Sequence, residues 1–152
     1  MTKKGILFLS LIVCLVALPQ ALNAQCKQFA KNMCKPGLDP YQHDGNYDAA
    51  NLFVEGAVAD MYKTLHADIN YRIGVCGATN LPPIKFIVQD IRDNYKVVYD
   101  NSEHDFDWKW DVKLESSRQL RIVVEVPVSE ESESSDTPQE GCVSVMIGSS
   151  DF

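Results

Sequence analysis

The chain has 152 residues, with 14 lysines and arginines against 21 aspartates and glutamates, and its formal net charge is −7. An acidic chain lacks the basic surface that neutralises phosphates, so nucleic acids and anionic membrane surfaces are not expected partners. The length suits one domain with a hydrophobic core of its own.

The first 24 residues have the pattern of a secretory signal peptide. Two lysines precede an apolar run over residues 5–18, and Ala24 supplies a small residue at the end. The run is shorter than the roughly 20 residues that a spanning helix needs. We therefore expect removal of residues 1–24 and export to the periplasm or the exterior, with no integral membrane segment left. The remaining chain has 12 basic and 21 acidic residues, a net charge of about −9.

Four cysteines remain after that cleavage, and they predict two disulfides: Cys26, Cys34, Cys76 and Cys142. No pair has the C-x-x-C spacing of structural zinc sites, so disulfides are favoured over a metal. If the segment from Cys26 to Cys34 is helical, its two Cα atoms lie roughly 12 Å apart, beyond the reach of about 7 Å that a disulfide allows. We predict that each pairs with one of Cys76 and Cys142. The alternative, a local Cys26–Cys34 bridge, requires a turn there.

Residues 25–51 form a lead-in with little periodicity. About two helical turns are predicted before Pro36-Gly37, followed by a loop rich in Asp, Pro, Gly and Asn. The next element is predicted as a strand over Ala57–Leu65, with a helix as the alternative. Gly56 disfavours the helix.

Strict alternation of apolar and polar residues marks the following strands. It predicts strands over residues 69–76 and 84–89, a turn over 90–94, a return strand over 95–99 and a last strand over 143–147.

The strongest alternation runs through residues 106–126. Two runs, joined by a polar turn at 116–119, predict a hairpin in which Trp110 pairs with Val124 and Lys109 lies opposite Glu125. Its apolar face supplies the predicted core: Phe106, Trp108, Trp110, Val112, Leu114, Leu120, Ile122 and Val124.

An acidic, low-complexity segment, residues 129–140, is predicted to be a flexible loop because it has no apolar residue to bury. About seven short strands with turns between them indicate an all-β fold, an antiparallel β-sandwich of jelly-roll type, over residues 52–152. The disulfides would attach the lead-in to it.

The order of motifs in residues 52–147 resembles the pre-peptidase C-terminal (PPC) type of β-sandwich. The cues are Glu55-Gly56, Leu65-His66-Ala67-Asp68, Tyr71-Arg72-Ile73 and Ile84-Lys85-Phe86. The Gly-x-Tyr that this type carries before its penultimate strand is absent, as is a peptidase domain. The resemblance implies a non-catalytic accessory module.

The whole chain also resembles a family of short exported bacterial proteins without an assigned activity. Three stretches carry this likeness: Cys26-Lys27-Gln28-Phe29, Tyr71-Arg72-Ile73-Gly74-Val75-Cys76-Gly77 and Gly141-Cys142-Val143-Ser144-Val145. It implies export and the four-cysteine framework.

No catalytic motif is present, and no catalytic residue is predicted. His43, His66 and His104 are scattered over polar segments. A weak calcium candidate gathers oxygen ligands between two strands, at Asp100, Glu103, Asp105 and Asp107. It lacks the order of an EF-hand loop, so a solvated turn is the preferred interpretation.

Aromatic residues offer a further possibility. Trp108 and Trp110 could stack on a sugar, but their position on the apolar face favours the core. Tyr41, Tyr47 and Tyr62 are the better candidates for exposed contacts.

The sequence therefore predicts an exported, non-catalytic binding or structural module of the cell envelope or exterior that contacts a protein or a glycan, without a cofactor. The alternative is a small secreted hydrolase with an unrecognised site. A pocket that holds a histidine beside a nucleophile would favour the hydrolase, and an exposed aromatic patch would favour the binding module.

Overall fold

The computed structural model describes residues 24–135 and 137–150, so the predicted signal peptide lies outside it except for its last residue. The helical pieces are α1 (residues 24–29), a π-helical turn Ala30–Cys34, 3-10 turns Lys35–Leu38 and Asn101–Glu103, and α2 (Glu130–Ser135). The strands are β1 (Gln42–His43), β2 (Ala50–Val54), β3 (Val58–Leu65), β4 (Asn70–Gly77), β5 (Lys85–Asp90), β6 (Lys96–Asp100), β7 (Lys109–Lys113), β8 (Arg118–Glu125) and β9 (Glu140–Ser150).

These strands form two antiparallel sheets. In the first sheet, β9 lies between β4 on one side and both β1 and β2 on the other, and β7 follows β4. The second sheet has the order β3-β8-β5-β6. The predicted all-β, antiparallel, two-sheet fold is confirmed. It has nine strands instead of about seven, because β1 and β2 lie in or beside the lead-in and pair only through the long strand β9.

The main core lies between the two sheets. Alternate residues of β4, β5 and β8 project into it, as expected where one face of a strand is buried. The largest of its fully buried side chains are Phe86, Leu65, Ile73, Leu120 and Ile122.

The predicted hairpin between residues 106 and 126 is wrong. β7 pairs with β4, and β8 pairs with β3 and β5, so the two strands lie in opposite sheets. Two strands with apolar faces can bury them by lying side by side in one sheet or by facing each other across the sandwich. Alternation of apolar and polar residues is the same in both arrangements and does not distinguish them. The side chains favour the observed pairing, since Arg72 of β4 donates two hydrogen bonds of 2.7 Å to Asp111 of β7.

Because β7 does not pair with β8, the predicted core residues of the first run, residues 106–114, lie outside the centre of the main core. Trp110, Val112 and Leu114 are half-buried and pack against the main core. Phe106 is 42% exposed, so its assignment to the core is wrong. It belongs to a turn, not to β7, and has a left-handed φ of 55°.

Trp108 also precedes β7, and its ring lies on the outer face of the first sheet. A Cβ atom added to Gly74 or to Gly37 would come within 2.6 Å of its indole. Only glycine therefore lets the ring fit between β4 and the N-terminal arm, by which we mean residues 24–41.

The N-terminal arm covers the outer face of the first sheet. The disulfides join Cys26 to Cys142 and Cys34 to Cys76, with Cα–Cα distances of 5.2 and 6.1 Å. The predicted long-range pairing is thus confirmed, and the local alternative is wrong. Pro36-Gly37 does not end the helical segment, which continues as a 3-10 turn to Leu38.

A second apolar cluster lies beneath this arm. Ala30, Leu38, Ala50 and Met146 are buried in it together with the cysteines. Arg72 adds a polar contact, donating to the carbonyl of Asp39 at 2.9 Å. Burial of this cluster explains how an arm without regular periodicity can be fixed to the sheet.

The acidic segment 129–140 contains α2 and has a polar anchor. Glu55, in the turn between β2 and β3, is buried and accepts the Gln139 N–H at 3.1 Å. The Ser132 hydroxyl lowers the pKa of Glu55, and Ser132 itself is buried. The lack of apolar residues in this segment did not indicate that polar contacts with Glu55 attach it to the sandwich.

Candidate functional site

The two sheets differ in what lies on their outer faces. The first sheet is covered by the disulfide-linked arm, whereas no other element of the described residues covers the outer face of the second sheet. We call this outer face the bare face. It exposes large apolar and aromatic side chains, with exposed fractions of 62% for Val58, 52% for Tyr62, 46% for Tyr95 and 49% for Val97.

Arg121 of β8 lies at the centre of the bare face. Its Nε donates to Asp60 at 2.6 Å, and its guanidinium carbon lies 5.9 Å from the centre of the Tyr95 ring. A longer bond of 3.4 Å reaches Gln89 on the neighbouring strand β5. These contacts fix the guanidinium beside Tyr95, and Tyr62 lies directly opposite Arg121 in the pairing of β3 with β8.

The charges of this group are fixed by the same contacts. The hydrogen bond from Arg121 lowers the pKa of Asp60, and Asp60 raises the pKa of Arg121. Burial, followed by the charge of Asp60, raises the pKa of Tyr62. At neutral pH the bare face thus presents the neutral phenol of Tyr62 beside a paired guanidinium.

Tyr95 reaches the bare face from a tight turn. Asn94 and Tyr95 have φ values of 52° and 58°, and the Lys96 N–H donates to the Asp93 carbonyl at 3.0 Å. Positive φ at both central residues is the geometry of a type I′ hairpin turn, in which glycine is usual at the second position. An exposed tyrosine is held there instead, at a conformational cost of about 1 kcal/mol.

A cleft opens along one flank of the sandwich, between β2 and β3. Its volume is about 320 Å³. Its apolar residues come from both sheets, and its polar residues lie at the mouth. The lining residues are Ala49, Phe53, Ala59, Met61, Ile122, Val124, Val143, Val145, Asp48, Asn51 and Asp60.

Farther along the same flank the cleft becomes polar and contains His43, His66, Thr64 and Ser149. The His43 Nδ1 accepts the Gly45 N–H at 3.0 Å, and its Nε2 lies 3.7 Å from Asp44. Neither Thr64 nor Ser149 hydrogen bonds to a histidine in this part of the chain. Among the described residues of this cleft, no serine or threonine hydroxyl is paired with a histidine ring, the arrangement that would favour a hydrolase.

The acidic turn after β6 was the calcium candidate of the sequence. The described residues contain no group of three or more His, Cys, Asp or Glu side chains placed to hold a metal ion, so the calcium candidate Asp100, Glu103, Asp105 and Asp107 is not supported. Asp100 instead accepts the Ser102 N–H at 2.9 Å, as a cap of the turn.

The three tyrosine candidates have different roles. Tyr41 and Tyr47 are half-buried, the former under the Arg72 guanidinium at 4.7 Å and the latter against the arm cluster. Tyr62 alone of the three lies on the bare face. Arg121 and Tyr95 were not identified from the sequence, because a charge in an alternating strand and an aromatic in a turn look like ordinary exposed residues.

No protein-family model and no curated protein matches the chain. Among solved structures, it is similar to PliG of Aeromonas hydrophila, a periplasmic lysozyme inhibitor of g-type lysozyme. The sequences are 15% identical, the TM-score is 0.47, and the match covers 66% of this chain and 82% of that chain. None of the helices in residues 24–135 and 137–150 is long and apolar enough to cross a membrane.

Proposed function

We propose that this protein is an exported, non-catalytic module of the cell envelope or exterior that binds another protein through the bare face. The observation that carries the proposal is the asymmetry of the sandwich. One sheet is covered by a stapled arm, and the other exposes Tyr62 and Tyr95 around Arg121.

The composition of the bare face supports a protein partner. Tyrosine and arginine are enriched among the residues that contribute most to protein–protein binding, since each buries a large area and keeps a hydrogen-bonding end. The exposed valines around them, Val58 and Val97, offer no hydrogen bond to a sugar hydroxyl. For this reason we favour a protein over a glycan.

The covalent framework supports export. All four cysteines of the described residues are in disulfides that join the arm to the first sheet. Such bonds persist in the periplasm or outside the cell and are rare in reducing compartments. The signal-peptide pattern at the start of the sequence agrees with this location.

The proposal is tested by binding measurements on matched variants. Proteins captured from an envelope extract of the source organism are identified, purified and titrated with the wild-type chain, Tyr62→Ala, Tyr95→Ala and Met33→Ala. Met33 is 66% exposed on the arm and serves as the control. We expect each tyrosine variant to weaken binding at least tenfold, which corresponds to about 1.4 kcal/mol, and Met33→Ala to bind as the wild type does.

Equal binding by all four proteins would contradict the proposal. Melting temperatures of the variants show whether any loss comes from misfolding. Both tyrosines are exposed, so we expect Tyr62→Ala and Tyr95→Ala to melt within a few degrees of the wild type.

A further inference from the structure

The two flanks of the sandwich are built differently. At the flank between β6 and β7, the ring of Tyr99 stacks on Trp110 at 5.2 Å, and its hydroxyl donates to the Lys109 carbonyl at 3.2 Å. Aromatic side chains thus close that side. At the opposite flank, between β2 and β3, the apolar cleft of about 320 Å³ stays open.

An unpaired strand edge runs beside this cleft. β3 pairs with β8 along its whole length and has no second strand partner among the described residues. Every second N–H and C=O group of an edge strand points outward, where it can pair with an added strand. Val58–Leu65 is eight residues long, enough for several such bonds.

One half of this edge is protected and the other is not. Lys63 points toward the interior of the flank, where its ammonium lies 3.4 Å from Asp44. An inward charge on an edge strand prevents the close approach of another strand. In the other half, Ala59 and Met61 line the apolar cleft instead.

We infer that the Val58–Met61 half of the β3 edge accepts an extended peptide segment of a partner protein. The segment adds a strand to the second sheet and places one bulky apolar side chain in the cleft. Inward side chains of an added strand point between the sheets, which is where the cleft lies. This rests on the proposed function only in requiring a protein partner. The edge shares Val58 and Asp60 with the bare face, but the peptide site does not use Tyr62, Tyr95 or Arg121.

Charge at the mouth of the cleft identifies the flanking residues of the peptide. Asp60 is engaged with Arg121 at 2.6 Å. The Asp48 side chain is 76% exposed, and among the described residues its only ion pair is with the surface residue Lys27 at 2.8 Å. A lysine or arginine beside the apolar residue of the peptide can replace Lys27, and the overall charge of −7 favours the approach of a basic segment.

The experiment uses four synthetic peptides and the full exported chain. The first peptide alternates lysine and valine and has one central phenylalanine. The second replaces the phenylalanine by alanine, and the third replaces the lysines by glutamates. The fourth has the sequence of the first with every second backbone nitrogen methylated, and it is made in two forms, one for each edge of the peptide strand. Methylation keeps the charge and removes main-chain pairing, so it separates strand addition from general attraction to an acidic protein.

Calorimetry or fluorescence anisotropy should show that the first peptide binds at least tenfold more tightly than each of the others. Ala59→Leu, which fills the cleft, should weaken its binding at least tenfold, and Asp48→Asn should weaken it by severalfold. Lys27→Ala should strengthen it, because a competing cation is removed. Tyr95→Ala, on the bare face, should leave it unchanged.

Equal binding of the methylated and unmethylated peptides, or no effect of Ala59→Leu, would overturn the inference, as would no binding of the first peptide at millimolar concentration. A dimer in sedimentation that Ala59→Leu dissociates would assign the edge to a second copy and overturn it too. Loss of partner binding in Tyr95→Ala alone would support the bare face and not the cleft. Binding of the first peptide, together with unchanged partner binding by Tyr95→Ala, would support the cleft and not the bare face.

Discussion

Asn101 allows a sharp test of how the chain passes from the second sheet to the first. It is the first residue of the turn after β6 and is fully buried. Its side-chain oxygen accepts the Phe86 N–H at 2.8 Å, and its nitrogen donates to the carbonyls of Ile84 at 2.9 Å and Asp107 at 3.2 Å. One amide thus holds the start of β5 against the segment that leads into β7.

The expected cost of Asn101→Leu follows from these three bonds. The substitution leaves the Phe86 N–H and the Ile84 carbonyl without a side-chain partner in a buried site, at about 1–3 kcal/mol each. The Asp107 carbonyl belongs to an exposed residue and can turn to water. The free energy of unfolding should therefore fall by about 4 kcal/mol, a large part of the roughly 5–15 kcal/mol of a typical domain.

Urea denaturation followed by tryptophan fluorescence measures this change, with the slope m checked for constancy. Asn80→Leu is the control, since Asn80 is exposed and makes one bond of 2.8 Å to the Glu140 carbonyl. Its cost should be below about 1 kcal/mol. If Asn101→Leu cost no more than the control, the reasoning about buried amide bonds at this turn would be refuted.

Four further predictions follow from individual residues. Replacing Cys34 and Cys76 together by alanine should lower stability by about 4 kcal/mol, from the chain entropy of a loop closed over 42 residues, and non-reducing peptide mapping of the wild type should find these two joined. Burial lowers the pKa of His43 below its ordinary value of 6.5, so the unfolded chain binds the proton more readily than the folded chain. The free energy of unfolding should therefore fall as the pH decreases through 6.5 toward the lower pKa of the folded state. His43→Gln should remove this pH dependence from the melting temperatures. Glu55→Ala should speed amide exchange in the acidic segment, where unchanged exchange would show that Glu55 is not its anchor. Trp110→Ala should cost about 3 kcal/mol in urea denaturation if its packing on Tyr99 and the core is as described.

Local patterns in the sequence determined most of the strands of this protein. Alternation with a period of two identified β3, β4, β5 and β8, because it depends only on backbone geometry within each strand. The hairpin of β5 and β6 was also predicted, since a short turn leaves two strands little choice but to pair. The prediction that Cys26 and Cys34 bond to distant cysteines followed from their separation along a helix, which is likewise a local quantity, but it left open which of Cys76 and Cys142 each one joins.

The tertiary structure decided which sheet each strand joins. β7 and β8 have the same kind of apolar face, and only non-local contacts, such as Arg72 with Asp111 and the fit of Trp108 on Gly74, assign β7 to the first sheet. The candidate sites depend on the same choice. Arg121 and Tyr95 come together, and β3 is left with a free edge beside a cleft, because strands distant in sequence are neighbours in the second sheet and the arm covers the first. No pattern within a single strand contains that information, since pairing and coverage are properties of the whole chain.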